Sequence, residues 1–368
     1  MSQSVDTAVP ASRPPRLRLT TPTGLQATDV LRRRRALVAV LNVATYAALL
    51  YGVAYVLGAG GWSAVDVVLM AAFAIGSPWT VLGFWNAVIG LWLLHGAKDP
   101  ISAVAPYAEA GEGAAPVTVN TAILMTLRNE DPARAMVRLR TVKDSVDATG
   151  FGQRFSYFVL SDTDNPAVAA EEEAGVAAWK AEVGAEEAAR IIYRRRPQNT
   201  GFKAGNVRDF CDRWGDRFEL MLPLDADSLM SGDAIVSMVR MAEAHPRLGI
   251  LQSLVVGMPS RSAFARIFQF GMRHGMRSYT MGQAWWTGDC GPFWGHNAVV
   301  QIKPFVEACE LPVLSGKPPL GWQVLSHDQV EATLMRKAGY EVRVLPVEFG
   351  SWEENPPTIL DYLQRDTR

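Results

Sequence analysis

The residues best suited to chemistry are two carboxylates that follow a short apolar run. The segment MLPL at 221–224 leads directly into Asp225-Ala226-Asp227. Two carboxylates one residue apart at the end of a strand can converge on one divalent cation once the chain leaves extended geometry. Mg²⁺ or Mn²⁺ suits such hard oxygen ligands and also binds a diphosphate. The alternative interpretation is an acidic loop or cap before the helix expected near Ser231.

Polar side chains also follow the other short apolar runs. They are Asn129 and Glu130 after the first run, Asp162 after the second, and Lys203 and Asn206 after the third. The acidic ones can accept hydrogen bonds from a base and a ribose, whereas Lys203 can face phosphate. A helix that starts near Gly205 would add amide dipoles that favour an anion. The arginines 194–196 either contribute to the same crevice or form a solvated basic face.

Apolar runs alternate with helical stretches from residue 121 onward, which predicts an α/β domain with a mostly parallel sheet and right-handed crossovers. Strands are predicted at 121–127, 155–160, 191–193, 219–223 and 249–255. Asp131 followed by Pro132 is typical of a helix start. Ligands of such sheets lie beyond the carboxyl ends of the strands, so the polar residues named above are expected to share one crevice.

The N-terminal quarter of the chain has a different composition. Residues 36–65 and 67–97 contain no Asp, Glu, Lys or Arg, and each run exceeds the ~20 residues that cross a bilayer. We therefore predict two transmembrane helices within 36–97, preceded by a disordered cytosolic tail at 1–35 and followed by a linker at 98–120. The arginines 32–35 favour a cytosolic N-terminus by the positive-inside rule. A buried soluble helix at 67–97, broken by Pro78, is the alternative.

The overall composition excludes several classes of protein. The 368 residues are 49% hydrophobic and 20% charged, which is typical of a folded chain with a large core. The net charge of −1 leaves no basic field for nucleic acid. The sequence contains neither a P-loop nor a G-x-G-x-x-G motif after a strand. Its three cysteines are too scattered for a disulfide framework or a CxxC zinc site.

In this order the motifs resemble those of the family 2 inverting glycosyltransferases, a group that includes membrane-embedded processive polysaccharide synthases. The resemblance is strongest at 193–211, at the segment FWGHNA (293–298) and at 350–361, and it covers nearly everything from residue 25 onward. Within the family, the synthases of osmoregulated periplasmic glucans are the most similar. The resemblance implies a GT-A domain, the nucleotide-diphospho-sugar transferase fold, at 121–355 on the cytosolic side of the membrane.

The resemblance also implies a donor-binding role for each polar residue of the crevice. Asp162 would contact uracil, Asn129 and Glu130 the nucleoside, Lys203 and Asn206 the nucleotide-sugar, and Asp225 and Asp227 the metal ion and the diphosphate. Ser161 stands where cellulose-type enzymes have a further Asp, so this sequence departs from their pattern at the base contact.

The segment Ser326-His327-Asp328 falls where related synthases carry Thr-Glu-Asp, which makes Asp328 the predicted general base, with His327 as a departure from the pattern. Inverting transfer needs a base on the face of the sugar opposite the leaving group, about 2.6–3.2 Å from the acceptor hydroxyl. The departing UDP accumulates negative charge, which a metal ion and arginines can stabilise. Without the family, an N-cap of the helix at 326–339 is the simpler interpretation of Asp328.

Aromatic residues around 288–291 form a candidate acceptor platform, because aromatic rings bind the C–H faces of sugars. They are Trp285, Trp286, Phe293 and Trp294, for which core packing or a membrane-interface belt is the alternative. Trp294, His296 and Asn297 are predicted to bind substrate, although His296 could equally be a satisfied structural histidine. Arg365 and Arg368 fall where the family has the Gln and Arg of a Gln-x-x-Arg-Trp motif and are also predicted to bind substrate.

The resemblance implies a multi-pass enzyme of the bacterial inner membrane that takes UDP-glucose from the cytosol and extends a glucan through β-1,2 bonds. Its implied partners are the growing glucan, the lipid bilayer and periplasmic glucan-processing proteins. Residues 356–368 are predicted to form an interfacial helix, and the chain is expected to be a fragment that ends before further membrane spans. Another product, such as cellulose, hyaluronan or a lipid-linked sugar, and a catalytically silent membrane fragment with a binding role remain alternatives.

Overall fold

Two long apolar helices begin the described part of the chain. The computed structural model describes residues 25–317 and 321–366, without the side chains of 364–366. Helices α1 (Thr28–Gly58) and α2 (Ala64–Gly96) form a hairpin. Their most apolar windows have mean hydropathies of 1.9 and 1.8, and only 6% and 11% of those windows are buried. Both helices are long and apolar enough to cross a bilayer, and the exposed surface of α2 does not favour the alternative of a buried soluble helix.

The ends of this hairpin follow from local sequence signals. The arginines 32–35, which were expected to belong to the tail, lie in the first turns of α1. A capping box starts α2, because the Ser63 side chain accepts a hydrogen bond from the Asp66 amide while the Asp66 carboxylate accepts from the Ser63 amide. Asp66, the one charged residue between the two apolar runs, therefore helps to start α2. Residues 1–24 of the predicted tail lie outside the described residues.

An α/β domain follows the hairpin. Its strands are β1 (Thr121–Leu127), β2 (Phe155–Ser161), β3 (Ile191–Arg195), β4 (Leu220–Asp225), β5 (Ser228–Met230), β6 (Leu248–Ser253), β7 (Val256–Gly257), β8 (Ala298–Gln301), β9 (Glu341–Leu345) and β10 (Ser351–Glu353). Its helices are α3 (Pro100–Val104), α4 (Glu109–Glu112), α5 (Pro132–Ala148), α6 (Pro166–Glu182), α7 (Ala185–Ala189), α8 (Phe202–Trp214), α9 (Gly232–Ala244), α10 (Ala263–Thr287), α11 (Ile302–Ala308), α12 (His327–Lys337) and α13 (Ile359–Asp366).

The main sheet has the strand order β3-β2-β1-β4-β8-β6-β9, and β8 alone among these strands runs antiparallel to its neighbours. A second sheet, β5-β10-β7, begins just beyond the carboxyl end of β4. Apolar side chains from α5, α6 and α9 cover one face of the main sheet, and those from α8, α11 and α12 cover the other. The predicted α/β class and mostly parallel sheet are confirmed.

Helix α8 begins at Phe202, three residues earlier than the sequence predicts. Gly201 precedes it with a φ of 73°, a left-handed conformation that glycine adopts at little cost. A Cβ atom at Gly205 would overlap the carbonyl oxygen of Thr200, so the loop folds tightly onto the first turn. Lys203 consequently lies in that first turn, at the edge of the sheet.

The segment 98–120, expected to be a linker, is folded against the α/β domain. It contains α3 and α4, and the side chains of Val104, Val117 and Val119 are buried. The Tyr107 hydroxyl donates a buried hydrogen bond of 2.8 Å to the carbonyl oxygen of Val344 in β9. Its small residues show no clear period, and the contacts that order it come from distant residues such as Glu243, 125 positions from Thr118, and Val344, so no local pattern predicts them.

Helix α10 lies along α2 of the hairpin in close backbone contact. A Cβ atom at Gly282 would overlap the carbonyl oxygen of Asn86, and one at Gly90 would overlap that of Ser278. The Trp286 indole donates a 2.8 Å hydrogen bond to the side chain of Asn86, which is fully buried. Small residues at both positions allow the two helices to approach. The hairpin and the α/β domain are therefore joined along a third helix.

A Gly282→Ala substitution should weaken this helix contact. The added methyl group meets rigid backbone, and we expect a loss of about 1–3 kcal/mol in unfolding free energy. Gly275→Ala in the same helix is the matched control, because its Cβ meets nothing within 4 Å and alanine favours the helix. Thermal unfolding in detergent measures both variants. Equal melting temperatures for the two would contradict the close contact.

An arginine from α1 and one from α12 meet at the same carboxylate. Arg35 Nη2 lies 2.5 Å from Asp289 Oδ1, and Arg336 Nη2 lies 2.7 Å from Asp289 Oδ2. Arg35 also donates to the carbonyl oxygens of Trp286 and Thr287. Burial opposes ionisation of Asp289, but the hydrogen bond from Arg35 and the charge of Arg336 outweigh it and hold the pKa below its usual value. Asp289 thus connects the first helix of the hairpin to α12.

The stability conferred by Asp289 should depend on pH. A lowered pKa means that the folded state favours the carboxylate, so the stabilisation is complete above the unfolded pKa of about 3.9 and is lost as the pH falls through the folded value. We expect Asp289→Asn to lose about 2 kcal/mol at pH 7 and progressively less below pH 4. Unfolding at several pH values checks this, with the exposed Asp216→Asn as control. A stability loss from Asp289→Asn that became larger at low pH would contradict the pairing of Asp289 with the two arginines.

Candidate active site

Parallel pairing brings the ends of four strands to one edge. Leu127 of β1 pairs with Ser161 of β2, and Ser161 pairs with Arg195 of β3. On the other side of β1, Thr126 pairs with Asp225 of β4. The polar residues that follow these positions therefore leave the sheet side by side, as the sequence predicts for the carboxyl edge of a parallel sheet.

An ion pair between Lys203 and Asp225 lies at this edge. Lys203 Nζ contacts Asp225 Oδ1, and the side chains remain 25% and 37% exposed, so the pair faces an open hollow. Burial opposes ionisation of Asp225, but the charges of Lys203 and His296 outweigh it and hold the pKa below its usual value. The Asp225 amide also donates to the Ser228 hydroxyl over 3.2 Å. Asp225 is thus an ionised, oriented carboxylate beside a cation.

Asp328 borders the same hollow. Gly295 has a φ of 78°, and a Cβ atom there would lie 3.6 Å from Asp328 Cβ, 3.6 Å from His327 Cε1 and 3.8 Å from Lys203 Nζ. Asp328 is not an N-cap, because Ser326 precedes the helix and Asp328 lies in its first turn. The Ser326 hydroxyl donates to Asp328 Oδ1 over 3.1 Å. The predicted base and the predicted donor residues therefore converge on one hollow around Gly295.

Asp162 forms the most buried ion pair of this edge. Arg196 Nε and Nη2 each donate to one carboxylate oxygen over 2.7 Å, and the two side chains are only 4% and 8% exposed. Arg196 also donates to the carbonyl oxygens of Thr200 and Phe202, directly before Lys203. The sequence left open whether the arginine run is solvated, but Arg194 and Arg196 are largely buried. Asp162 therefore holds the loop that leads to Lys203.

The loop after β1 is tied to the loop after β2. Asn129, with a φ of 60°, donates from its side chain to Asp164 over 2.7 Å and accepts from the Asn165 amide over 3.1 Å. Burial of the carboxyl group raises the pKa of Glu130, and the charge of Asp225 raises it further, which places Glu130 near the hollow. Asn129 and Glu130 thus remain candidates for contact with a nucleoside.

A buried network that the sequence analysis did not identify supports these loops. Glu172 of α6 is fully buried and accepts hydrogen bonds from the Thr163 hydroxyl over 2.6 Å and from the Tyr193 hydroxyl over 3.0 Å. The Thr163 hydroxyl in turn accepts from the Asn129 amide over 3.0 Å. A glutamate in an Ala/Glu-rich helix is typical of an exposed face, so no local pattern marks it.

Two predicted substrate residues are buried in the protein interior. Asn206 is 1% exposed and donates to the Leu160 carbonyl oxygen over 3.0 Å, which ties α8 to β2. Asn297 is fully buried and donates to the Ser351 hydroxyl over 2.9 Å and to the Trp352 carbonyl oxygen over 3.3 Å. Their amide groups donate to buried backbone and hydroxyl groups, which favours a structural role, and the predicted contact with substrate stays a prediction for both.

The aromatic residues pack mainly toward the hairpin. Trp285, Trp286 and Trp294 contact the apolar cluster that α1, α2 and α10 share, which favours packing over an acceptor platform. His296 differs from them, since its ring lies 3.5 Å from the Ser228 hydroxyl and 3.7 Å from Glu353, on the Asp225 side of the hollow. His296 therefore lies close to the predicted site, whereas Trp294 packs against the apolar cluster of the hairpin.

The Asp225–Asp227 turn is held from two sides. Arg138 of α5 donates to the Ala226 carbonyl oxygen and lies 2.5 Å from Glu354, whose amide donates to the Asp227 carbonyl oxygen over 3.3 Å. Within 25–317 and 321–366, no group of three or more His, Cys, Asp or Glu residues converges as a complete metal site. Two carboxylates still fit Mg²⁺, which is often held by one or two carboxylates together with substrate phosphates and water.

The two predicted residues near the end of the chain cannot be placed in the site. The side chain of Arg365 and the whole of Arg368 lie outside the described residues.

The chain is similar in sequence to known proteins. A family model described as glycosyl transferase family group 2 matches residues 220–368. Glucans biosynthesis glucosyltransferase H of Bradyrhizobium diazoefficiens is 38% identical over 321 residues, which are 86% of this chain and 42% of that protein. The proteins of that name from Caulobacter vibrioides and Rhodopseudomonas palustris are 40% and 37% identical over 84% and 98% of this chain, and over 45% and 48% of their own lengths.

A solved structure is also similar at the level of the fold. It is the mannosyltransferase PcManGT from Pyrobaculum calidifontis in complex with GDP-Man and Mn²⁺. The TM-score is 0.45 at 14% identity, over 74% of this chain and 69% of that one. A likeness this distant supports no conclusion about ligands.

Residues 220–368 therefore match the family group 2 glycosyltransferases. The chain is homologous to the proteins named glucans biosynthesis glucosyltransferase H, and it spans about half of their length.

The buried pair of Asp162 and Arg196 should dominate the stability of this edge. Asp162→Asn leaves the Arg196 guanidinium buried without its counter-charge, and we expect a loss of about 3 kcal/mol in unfolding free energy. Asp212→Asn, which removes a 60% exposed partner of Arg208, should cost less than about 1 kcal/mol. Urea unfolding at fixed detergent concentration compares the two. Equal losses would show that the buried pair is not the anchor of the loop.

Proposed function

We propose that this chain carries the donor site and the catalytic base of a membrane-bound inverting glucosyltransferase. In this proposal the enzyme uses UDP-glucose to extend the β-1,2-linked backbone of osmoregulated periplasmic glucans. The single observation that carries the proposal is the convergence of Lys203, Asp225 and Asp328 around Gly295. The names of the relatives support a glucan as product, since each is called a glucans biosynthesis glucosyltransferase.

Donor binding follows from the charges at the edge of the sheet. The diphosphate would lie beside Lys203, whose ammonium group can exchange its contact with Asp225 for a phosphate oxygen. Asp225 and Asp227 would hold Mg²⁺ or Mn²⁺, which when bound supplies positive charge for the departing diphosphate. Glu130 and Asp162 lie on the side of the hollow where the nucleoside would bind, although Asp162 acts there together with Arg196.

The base is assigned from position and hydrogen bonding. Asp328 reaches the hollow from α12 and Asp225 from β4, and in this proposal Asp328 would face the sugar from the side away from the leaving group. Its Oδ1 accepts from Ser326, and this bond orients the carboxylate. The carboxylate would take the proton of the acceptor hydroxyl as that oxygen attacks C1 and the bond to the diphosphate breaks. The product would carry the inverted configuration.

The placement at a membrane rests on exposed apolar surface. Val40, Val43, Ile75 and Trp79 of the hairpin are each more than 60% exposed, which favours lipid contact for α1 and α2. Ile359 and Leu360 of α13 are 58% and 68% exposed, in agreement with an interfacial helix at 356–368. Arg34 and Arg35 bind the α/β domain at one end of α1, so the positive-inside rule would put that domain in the cytosol.

Asp328→Asn should separate chemistry from binding. The amide cannot accept the proton, and we expect glucosyl transfer in membranes to fall about 100-fold or more while UDP-glucose binding persists. Release of UDP and incorporation of labelled glucose measure transfer, and calorimetric titration measures binding. Glu307→Gln, an exposed carboxylate on α11, is the matched control. Transfer at nearly the wild-type rate in Asp328→Asn would remove this residue from the role of base.

A further inference from the structure

His327 stands directly before Asp328 at the start of α12, and no role has so far been given to it. Its Nδ1 atom lies 2.9 Å from Oε2 of Glu331, one turn further along the helix. The side chains are 13% and 4% exposed, so the pair is largely removed from water. Residues four apart on a helix face each other, and this pair is therefore built into α12.

The burial of Glu331 determines how the imidazole is held. A buried carboxylate is costly unless it is hydrogen-bonded or paired with a positive charge. Within the described residues, His327 is the side chain that supplies this hydrogen bond. Nδ1 therefore carries a proton that points at Glu331, and the ring is fixed in one orientation. The second nitrogen, Nε2, is left available for another partner.

The ring reaches the hollow that contains the candidate donor site. His327 Cε1 lies 3.6 Å from the position of a Cβ atom at Gly295, and Lys203 Nζ lies 3.8 Å from the same point. The lack of a side chain at Gly295 keeps the space between them open.

Charged groups of both signs surround His327, and among them Lys203 and the imidazole can donate to an anion. Glu331 and Asp328 flank His327 on α12, Lys203 approaches from α8, Asp225 from β4, and His296 from the loop before β8. Lys203 is paired with Asp225, and His327 is hydrogen-bonded to Glu331. A diphosphate between Lys203 and His327 would receive one charge-assisted hydrogen bond from each.

We propose that His327 is a donor-binding residue whose imidazolium donates from Nε2 to the diphosphate of the nucleotide-sugar, while Nδ1 donates to Glu331. Glu331 is then a positioning residue, since it acts only through His327. This inference rests on the proposed function, because it requires a nucleoside diphosphate in the hollow. His327 would then stabilise part of the negative charge that develops on the departing diphosphate.

Two substitutions of His327 distinguish a phosphate contact from a structural one. The amide nitrogen of glutamine can replace Nε2, whereas that of asparagine replaces Nδ1. His327→Gln should therefore keep most of the affinity for UDP, and His327→Asn should lose about 10-fold, the effect of one charge-assisted hydrogen bond. Calorimetric titration of the full chain with UDP and Mn²⁺ measures both dissociation constants. The reverse order, with the asparagine variant binding better, would show that only the contact with Glu331 matters.

A second ligand and a second variant complete the test. Uridine lacks phosphate, so its affinity, measured by competition, should be unchanged in His327→Asn. Glu331→Gln should weaken UDP binding with the same preference for UDP over uridine. Two outcomes would overturn this inference and leave the proposed function standing. One is an equal loss of affinity for UDP and for uridine. The other is UDP binding that is unchanged in all three variants while the wild type binds UDP. No UDP binding by the wild type with Mg²⁺ or Mn²⁺ would overturn the proposed function and the inference with it.

Discussion

The site depends on the parallel pairing of β3, β2, β1 and β4. The strands contribute residues at or just after their last paired positions, and a slip of one residue in any pairing would turn a strand residue such as Asp225 to the other face of the sheet. Ser161 is fully buried between Leu127 and Arg195, which fixes the register of three strands at their carboxyl ends. The apolar faces of these strands thus bring together polar residues that are far apart in the sequence.

Charge compensation then decides the conformation of the loops. Asp162 is paired with Arg196 and Asp225 with Lys203, and Glu331 is hydrogen-bonded to His327, so each carboxylate has a partner before any ligand binds. The first and last of these pairs are nearly buried and act as supports. The Lys203 pair is partly exposed, and it can exchange partners with an incoming anion. A hollow of this kind is preorganised, because its charges are set by folding and not by the ligand.

Local patterns predict much of this structure, and long-range contacts explain what they miss. The apolar run at 121–127 and the cap at Asp131 appear in the fold as predicted, since both signals lie within a few residues. The burial of Asn206 and Asn297 depends on partners 46 and 54 positions away, and a polar side chain after a strand looks the same whether it faces a ligand or a carbonyl group. The docking of α10 on α2 likewise depends on glycines about 190 positions apart, outside any helical period.

The helix that carries the candidate base is connected to the apolar hairpin, since Asp289 joins Arg35 of α1 to Arg336 of α12. The central claim remains the position of the donor, and a cryo-electron microscopy map of the protein with UDP and Mn²⁺ tests it most directly. The account predicts the diphosphate beside Lys203 and Asp225, with Asp328 facing the same hollow. A nucleotide bound elsewhere, for example in the cavity of about 380 Å³ between α8 and α11, would contradict it.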